Sequence, residues 1–417
     1  MSNVLARSTL KTGAILGARV AAQAISLILL TRVFGAQNYG PLISAVSLAT
    51  VLGILSTLGS GYVMLLMAPR KADAVADVWR YAYPLTLALG FVLLALYLPC
   101  ARLIGGEQTL ATNILVWIAV TELLLTPAIA LFSAALQAHE RVPLSQLLQL
   151  LPMALRALAI LPCYFFGEES KLLGYVLLQL AATGLGLLIA GTVTNRVITL
   201  NWKPRRITLD ELRLGASYSA MHMVLSNSSE FDKILAIRFL PSHETGIYAA
   251  TTRVISALVM PVVAVLLSAQ PRLFSYVHSP TRKGLRLIQL LGVLTAGWGL
   301  VSVLILLSTT SLLPLLFGET FTEMTGLMPL LAVVAFPLAL RYTAGTILGA
   351  LGKPLERIGF EIAGTATLFI LMLLLTPNFG MRGLATAVIL SELTMAACSW
   401  LLVYRRLHLL PSPSMGS

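Results

Sequence analysis

The chain has 417 residues, of which 57% are hydrophobic and 11% charged, with a mean hydropathy of +0.87. That composition excludes a water-soluble globular protein and defines an all-α polytopic membrane protein, because only closed barrels and helices satisfy their backbone in lipid and these apolar runs have helical length. The net charge of +12 follows from basic loops facing anionic headgroups and calls for no nucleic acid.

In chain order, apolar windows predict spans at 12–34, 41–66, 81–104, 110–137, 144–166 and 172–195, then at 214–238, 246–270, 287–310, 325–348, 358–377 and 382–404. Each holds the roughly 20 residues that a bilayer crossing takes. The first follows Arg7 and Lys11, but its apolar stretch is long and no small-residue cleavage site succeeds it, so it reads as a retained helix rather than a signal peptide. The expected architecture is about 12 transmembrane helices in two lobes. An N-terminal six-helix lobe covers 1–195, a cytoplasmic linker with Pro204 among its basic residues covers 196–213, and a C-terminal six-helix lobe covers 214–417.

The halves echo one another. Arg32-Val-Phe-Gly-Ala-Gln-Asn-Tyr-Gly40 returns 206 positions later as Arg238-Phe-Leu-Pro-Ser-His-Glu-Thr-Gly246, and Ala135-Leu-Gln-Ala-His-Glu-Arg141 returns with one gap as Ala350-Leu-Gly-Lys-Pro-Leu-Glu-Arg357. Six helices followed by six in the same orientation make a parallel repeat about a pseudo-two-fold axis along the membrane normal. With both termini cytoplasmic, one side collects 19 of the 29 basic residues, while Arg32, Arg102, Lys171, Arg238 and Arg382 face the other, as the positive-inside rule expects.

Five cations interrupt the spans: Arg19, Arg156, Lys233, Arg253 and Arg341. Each costs roughly 2.5 to 3.5 kcal/mol at a helix centre, so the set costs on the order of 12 to 18 kcal/mol, and a charge at that depth marks function by default. The competing readings are snorkelling or capping for Arg19 and Arg32, and neutralisation of Lys233 by Glu230. Helical spacing places Arg19, Gln23 and Ser26 on one face of the first span, and His222, Ser226, Ser229 and Lys233 on one face of the seventh. The fifth adds Gln146, Gln149 and Arg156. Arg19, Gln23, Lys233, Arg253, Arg156 and Arg341 are therefore the candidate binding residues for an anionic head group. Glu122, His222, Glu230 and Asp232 are candidates for ion coupling by position, with an interhelical polar contact as the alternative for Glu122 and Glu361. Pro127, Pro152, Pro261 and Pro337 are expected to bend their helices, and Ser44, Ser47, Thr50, Gly53 and Gly61 to let the second span pack closely.

Cys100, Cys163 and Cys398 show neither disulfide nor metal-ligand spacing, and no phosphate loop, His-Glu-x-x-His or nucleophile triad is present. The chain is therefore read as no enzyme, with no cofactor and no metal, and its transport must draw on a gradient or on membrane potential. A membrane polymerase or ligase would display a large periplasmic loop, and none of the predicted loops is long enough.

Arg32-Val-Phe-Gly35 running to Tyr39-Gly40, and Asp232-Lys233-Ile-Leu followed by Gly246-Ile247-Tyr248 and Arg253, resemble the O-unit flippases of the polysaccharide-transport branch of the multidrug, oligosaccharidyl-lipid and polysaccharide (MOP) exporter superfamily. The resemblance covers essentially the whole chain. It implies a cationic central cavity that moves an undecaprenyl-pyrophosphate-linked oligosaccharide across the bacterial inner membrane by alternating access. Arg19, Lys233 and Arg253 would bind the anion, and an H+ or Na+ gradient or the membrane potential would drive the cycle. A polysaccharide polymerase and chain-length machinery are the implied protein partners. A peptidoglycan-precursor lipid flippase and a multidrug cation antiporter of the same superfamily are the alternatives, the latter disfavoured by basic rather than acidic first helices.

Overall fold

Backbone amides in lipid must bond within their own segment, and among the described residues the computed structural model contains helices and turns but no strand. It describes residues 2–68, 74–227, 230–278 and 282–409. Arg70, Lys71 and Ser229 lie outside the described residues, as do the side chains of Arg7, Lys11, Ser226, Asn227, Arg272, Arg282 and Lys283. Nine described helices are long and apolar enough to cross a membrane. Two of them are interrupted where a glycine leaves helical geometry, at Gly35 (φ 63°, ψ 174°) and Gly380 (φ 56°, ψ −138°). Positive φ is strained for residues with a Cβ, so glycine sets both breaks. The outward faces are apolar: Phe165 is 90% exposed and Leu103 76%, which suits a lipid surround and not water.

The chain forms two compact units, Met1–Gly246 and Ile247–Ser417. The first contains α1 (Ser2–Ser56), α2 (Ser60–Met67), α3 (Ala74–Gly105), α4 (Thr112–Ala119), a π-helical segment (Val120–Leu125), α5 (Thr126–Ala138), α6 (Val142–Leu158), α7 (Glu168–Val197), α8 (Leu209–Asn227), α9 (Phe231–Phe239) and the first residues of α10 (Ser242–His278). α8 and α9 cover the region predicted as the seventh span. Leu42, Ala49, Leu93, Tyr97, Leu115, Ile118 and Tyr175 form one of its cores, and Met64, Trp79, Phe132, Leu136 and Ile198 another.

Two packing details organise this unit. A Cβ on Gly40 would lie 2.1 Å from the Ser242 carbonyl oxygen, and one on Gly246 would lie 2.1 Å from that of Ala36. The two copies of the repeated motif therefore cross backbone to backbone, each closed by a glycine. Close by, Gln108 donates from Nε2 to the carbonyls of Ile237 (3.3 Å) and Leu240 (3.0 Å) and accepts from Ser242 Oγ (2.7 Å). The interval predicted as a linker lies within the first unit and is docked. Tyr83 donates to the Trp202 carbonyl (2.9 Å), Arg80 Nε donates to that of Lys203 (2.9 Å), and the Trp202 ring stands edge-on to Trp79. Thr208 and Glu211 then form a capping box for α8: the Thr208 amide donates to Glu211 Oε2 (3.0 Å) and the Glu211 amide to Thr208 Oγ1 (3.3 Å). Arg205 clasps the same carboxylate with two nitrogens, at 2.9 and 2.5 Å.

The second unit continues α10 and adds α11 (Arg282–Ser308), α12 (Leu313–Phe317), α13 (Met324–Leu331), α14 (Ala335–Ala350) and α15 (Pro354–Leu409). Its core joins Leu273, Ile288, Leu291, Ile347, Leu348, Phe360 and Met395. Trp400 closes it by donating Nε1–H to the Leu340 carbonyl (3.1 Å) while its ring lies against Gly292.

Candidate functional site

A charge inside a membrane span needs a partner or an aqueous cavity, and the embedded cations meet this need in different ways. Arg341 is 1% exposed, with Nη1 2.7 Å from Glu361 Oε2 and Nε 3.0 Å from Glu392 Oε2. These three residues come from α14 and from both limbs of α15. Lys233, 2% exposed, has its ammonium 3.1 Å from Asp232 Oδ1, and its backbone carbonyl accepts from Ser44 Oγ (2.9 Å). Beside it, Ser47 donates to Glu230 Oε2 (2.6 Å). Ser44 and Ser47, expected to serve packing, thus fasten α1 to the polar start of α9.

Arg156 is bound on three sides within the first unit. Nη1 lies 2.8 Å from Glu122 Oε1, Nε donates to Thr183 Oγ1 (2.8 Å) and Nη2 to Thr126 Oγ1 (2.8 Å). Gln179 adds a 3.3 Å bond from Nε2 to the same oxygen of Glu122. Glu122 sits in the π-helical segment, whose backbone is gripped from both sides. A Cβ on Gly53 would come 2.7 Å from the Glu122 carbonyl oxygen, and one on Gly90 2.7 Å from that of Leu123. The close packing expected of Gly53 is thus directed at a wide turn of the kind that recurs at functional positions.

Arg19 differs from these three. It donates to Gln149 Oε1 (3.0 Å), Gln149 donates to Ser133 Oγ (2.8 Å), and Ser133 meets Ser145 Oγ at 2.7 Å. Its partner is a neutral amide, and among the described residues no carboxylate pairs with it. Gln23 is exposed on the same helix. His222 packs against Tyr62 with ring centroids 5.4 Å apart, and Tyr62 stacks on Tyr218 at 5.8 Å. Arg253 is half-buried at the start of the second unit.

Sequence spacing places Gln149 and Arg156 on α6 correctly, but it gives no sign that Arg156 meets Glu122. Each is a lone charge in its own apolar helix, and nothing in either helix encodes its neighbour. Gln179, Thr126 and Thr183, which complete that cluster, were not singled out; a polar residue recurring among apolar ones on facing helices is the only signal available. The clustered residues form no nucleophile or acid–base arrangement around an open cleft. They are suited to carrying and balancing charge within a bilayer.

Comparison with known proteins agrees with this reading of the fold. Residues 6–277 match the family model described as polysaccharide biosynthesis protein. The structure is similar to an inward-facing multidrug resistance MATE family transporter of the MOP superfamily, with a TM-score of 0.78 and 13% identity over 97% of this chain and 98% of that one. It is similar to the MATE multidrug transporter DinF-BH, with a TM-score of 0.71 and 16% identity over 97% and 96%. It also resembles the Vibrio cholerae MATE transporter VcmN in the bent form, with a TM-score of 0.59 and 14% identity over 96% and 98%. No curated protein sequence matches the chain. At these identities the solved structures speak for the fold alone, an all-α multi-pass fold of the kind seen in the MOP-superfamily transporters. With 6–277 of its residues matched, the chain belongs to the polysaccharide biosynthesis protein family.

Proposed function

We propose that the chain flips an undecaprenyl-pyrophosphate-linked oligosaccharide from the cytoplasmic to the periplasmic leaflet of the bacterial inner membrane, with both termini cytoplasmic and two six-helix lobes alternating access. The observation that carries this reading is Arg19, a membrane-embedded cation whose partner is the neutral Gln149. Arg156, Lys233 and Arg341 each have a carboxylate beside them, so Arg19 is the group with positive charge to spare for a phosphate. Gln23, on the same face, would receive polar groups of the head; Arg156, which keeps 21% of its side chain exposed, and Arg253 are the further cations assigned to the anionic cargo, whereas Lys233 and Arg341 are buried against carboxylates. The family match to polysaccharide biosynthesis supports a glycan cargo over a drug.

The test is a proteoliposome assay that scores exposure of an undecaprenyl-pyrophosphate oligosaccharide to an external probe. Wild type is expected to raise exposure over empty vesicles, Arg19→Ala to lose most of that increment while still inserting, and Arg19→Lys to retain part of it. Equal flipping by Arg19→Ala would sink the reading. A second reading, drug extrusion, is favoured by the MATE transporters among the structural relatives, and transport of a cationic dye without glycan flipping would support it instead.

A further inference from the structure

The cluster around Arg156 contains one polar atom that its ion pair does not account for. Gln179 is 4% exposed, its Nε2 donates to Glu122, and its Oε1 is buried without a donor among the described residues. A buried unsatisfied acceptor costs on the order of 1 to 3 kcal/mol, so its retention calls for an explanation. An amide is one of the few side chains that can serve a carboxyl group in both protonation states. It donates through nitrogen to the ionised form and, after rotation, accepts through oxygen from the protonated one.

The other half of the cluster tells what would cause the change. Arg156 keeps 21% of its side chain exposed, whereas Glu122 keeps 6%. An arriving anion can therefore approach the Arg156 side chain more readily than the carboxylate. Thr126 and Thr183 hold two of the guanidinium nitrogens and would keep Arg156 in place as its third partner changes. Once Arg156 turns from Glu122, the carboxylate is a buried charge without its counter-ion, a condition that costs about 3 to 5 kcal/mol and is relieved by taking up a proton.

Among the described residues the surroundings offer no second carboxylate or cation. The titratable groups near Glu122 are Arg156 of α6, Tyr97 of α3 and Tyr175 of α7, with Tyr39 of α1 and Cys163 beside Tyr175. Tyr97 spends its hydroxyl on the Ala45 carbonyl (3.1 Å), and α4 and α5 contain no titratable residue.

We propose that Arg156 is shared between Glu122 and an incoming anion, and that Glu122 takes a proton from solvent when the anion draws Arg156 away, with Gln179 switching from donor to acceptor. Only the identity of the anion as a lipid-linked phosphate rests on the flippase reading. Binding of anion and binding of proton then assist each other, and by linkage the effect is reciprocal.

Infrared difference spectroscopy of the full chain in nanodiscs tests this without any glycan. Spectra are taken for acid against neutral pH, and for sulfate against chloride at fixed neutral pH. A protonated-carboxyl stretch that is lost in Glu122→Gln is expected under both conditions, in acid on top of the bands of the other carboxylates, which wild type and variant share. In Gln179→Leu the band should remain but move to higher frequency, since the carboxyl hydroxyl has lost its acceptor; a merely structural glutamine would leave the frequency unchanged. Arg156→Gln should abolish the sulfate-induced band and, by leaving Glu122 without its counter-ion, protonate the carboxyl already at neutral pH, so that the Glu122 band shrinks in the acid-against-neutral difference as well. The proposal is overturned if sulfate leaves the carboxyl region of wild type unchanged, or if the sulfate-induced band survives in Glu122→Gln. Because flipping is scored separately, a failed cargo assignment and a failed proton site give different results.

Discussion

Substituting alanine at Gly40 inserts a methyl group into the tightest backbone crossing of the first unit. The new Cβ would stand 2.1 Å from the Ser242 carbonyl oxygen and 2.8 Å from the Gly246 nitrogen, where ordinary contact begins at 3.4 Å. The two segments must part by about 1.3 Å to accept it, and both obstructing atoms are main chain, so no side chain can swing aside. Overpacking of a close-packed interior costs about 1 to 3 kcal/mol, and this site belongs at or above the upper end of that range. Gly246→Ala meets the Ala36 carbonyl oxygen at the same 2.1 Å and should cost a similar amount. One separation of the segments relieves both clashes, so the double variant should lose clearly less than the sum of the singles. The control is Gly184→Ala in α7, where a Cβ meets nothing within 4 Å and alanine should be neutral or stabilising by up to about 1 kcal/mol. Equilibrium unfolding in mixed detergent micelles, read by intrinsic fluorescence, measures all four variants against wild type. A Gly40→Ala protein as stable as Gly184→Ala would refute the reasoning, and strict additivity in the double variant would refute the shared relief.

Arg341→Ala leaves Glu361 and Glu392 buried without their guanidinium and should destabilise the second unit by about 3 to 5 kcal/mol in the same unfolding assay. Glu211→Gln should lower stability at neutral pH by about 1 kcal/mol, through the lost capping and Arg205 contacts. The Arg205 guanidinium hydrogen-bonded to it holds the Glu211 carboxyl below the usual range. The contribution is thus complete above the ordinary glutamate pKa of about 4.3 and is lost as pH falls through the lowered folded-state value; wild type and variant should converge under acid and diverge near neutrality. Trp202→Ala removes the ring docked on Trp79 and Tyr83 and should speed tryptic cleavage after Arg205 and Arg206 severalfold, followed by gel electrophoresis. Gln108→Ala abandons three hydrogen bonds and should cost about 1 to 3 kcal/mol, with Gln108→Glu recovering only the Ser242 bond.

Where the membrane lies was legible from the sequence because long apolar runs admit one solution. α3, α6, α7, α11 and both limbs of α15 overlie predicted spans. The breaks were less legible. Pro127, Pro152, Pro261 and Pro337 are expected to bend their helices; Pro127 stands in the first turn of α5 and Pro152 inside α6, while the two long helices α1 and α15 leave helical geometry at Gly35 and Gly380. A proline forfeits one hydrogen bond that neighbours can replace, whereas positive φ changes the direction of the chain. The π-helical turn around Glu122 is followed by Pro127, which has no amide to close an α-turn on Leu123, but the approach of Gly53 and Gly90 to its carbonyls from elsewhere in the chain left no mark in the sequence. The interval 196–213 was legible as polar and proline-broken, but its docking depends on Trp79, Arg80 and Tyr83, more than a hundred residues earlier. Individual cations were visible, and their pairings were not. The difference between Arg19, which faces an amide, and Arg156, which faces an acid, is a property of which helices touch.

The glycine crossing bears on how such a chain can change over time. Residue 36 meets residue 246 and residue 40 meets residue 242, and each position is displaced by 206 from its counterpart in the other motif. This is the reciprocity of an isologous contact, in which one patch serves as both surfaces. A larger residue in either copy collides with the other, so neither motif can drift alone. Mutual steric restraint of this kind accounts for why the echo is still readable at this stretch.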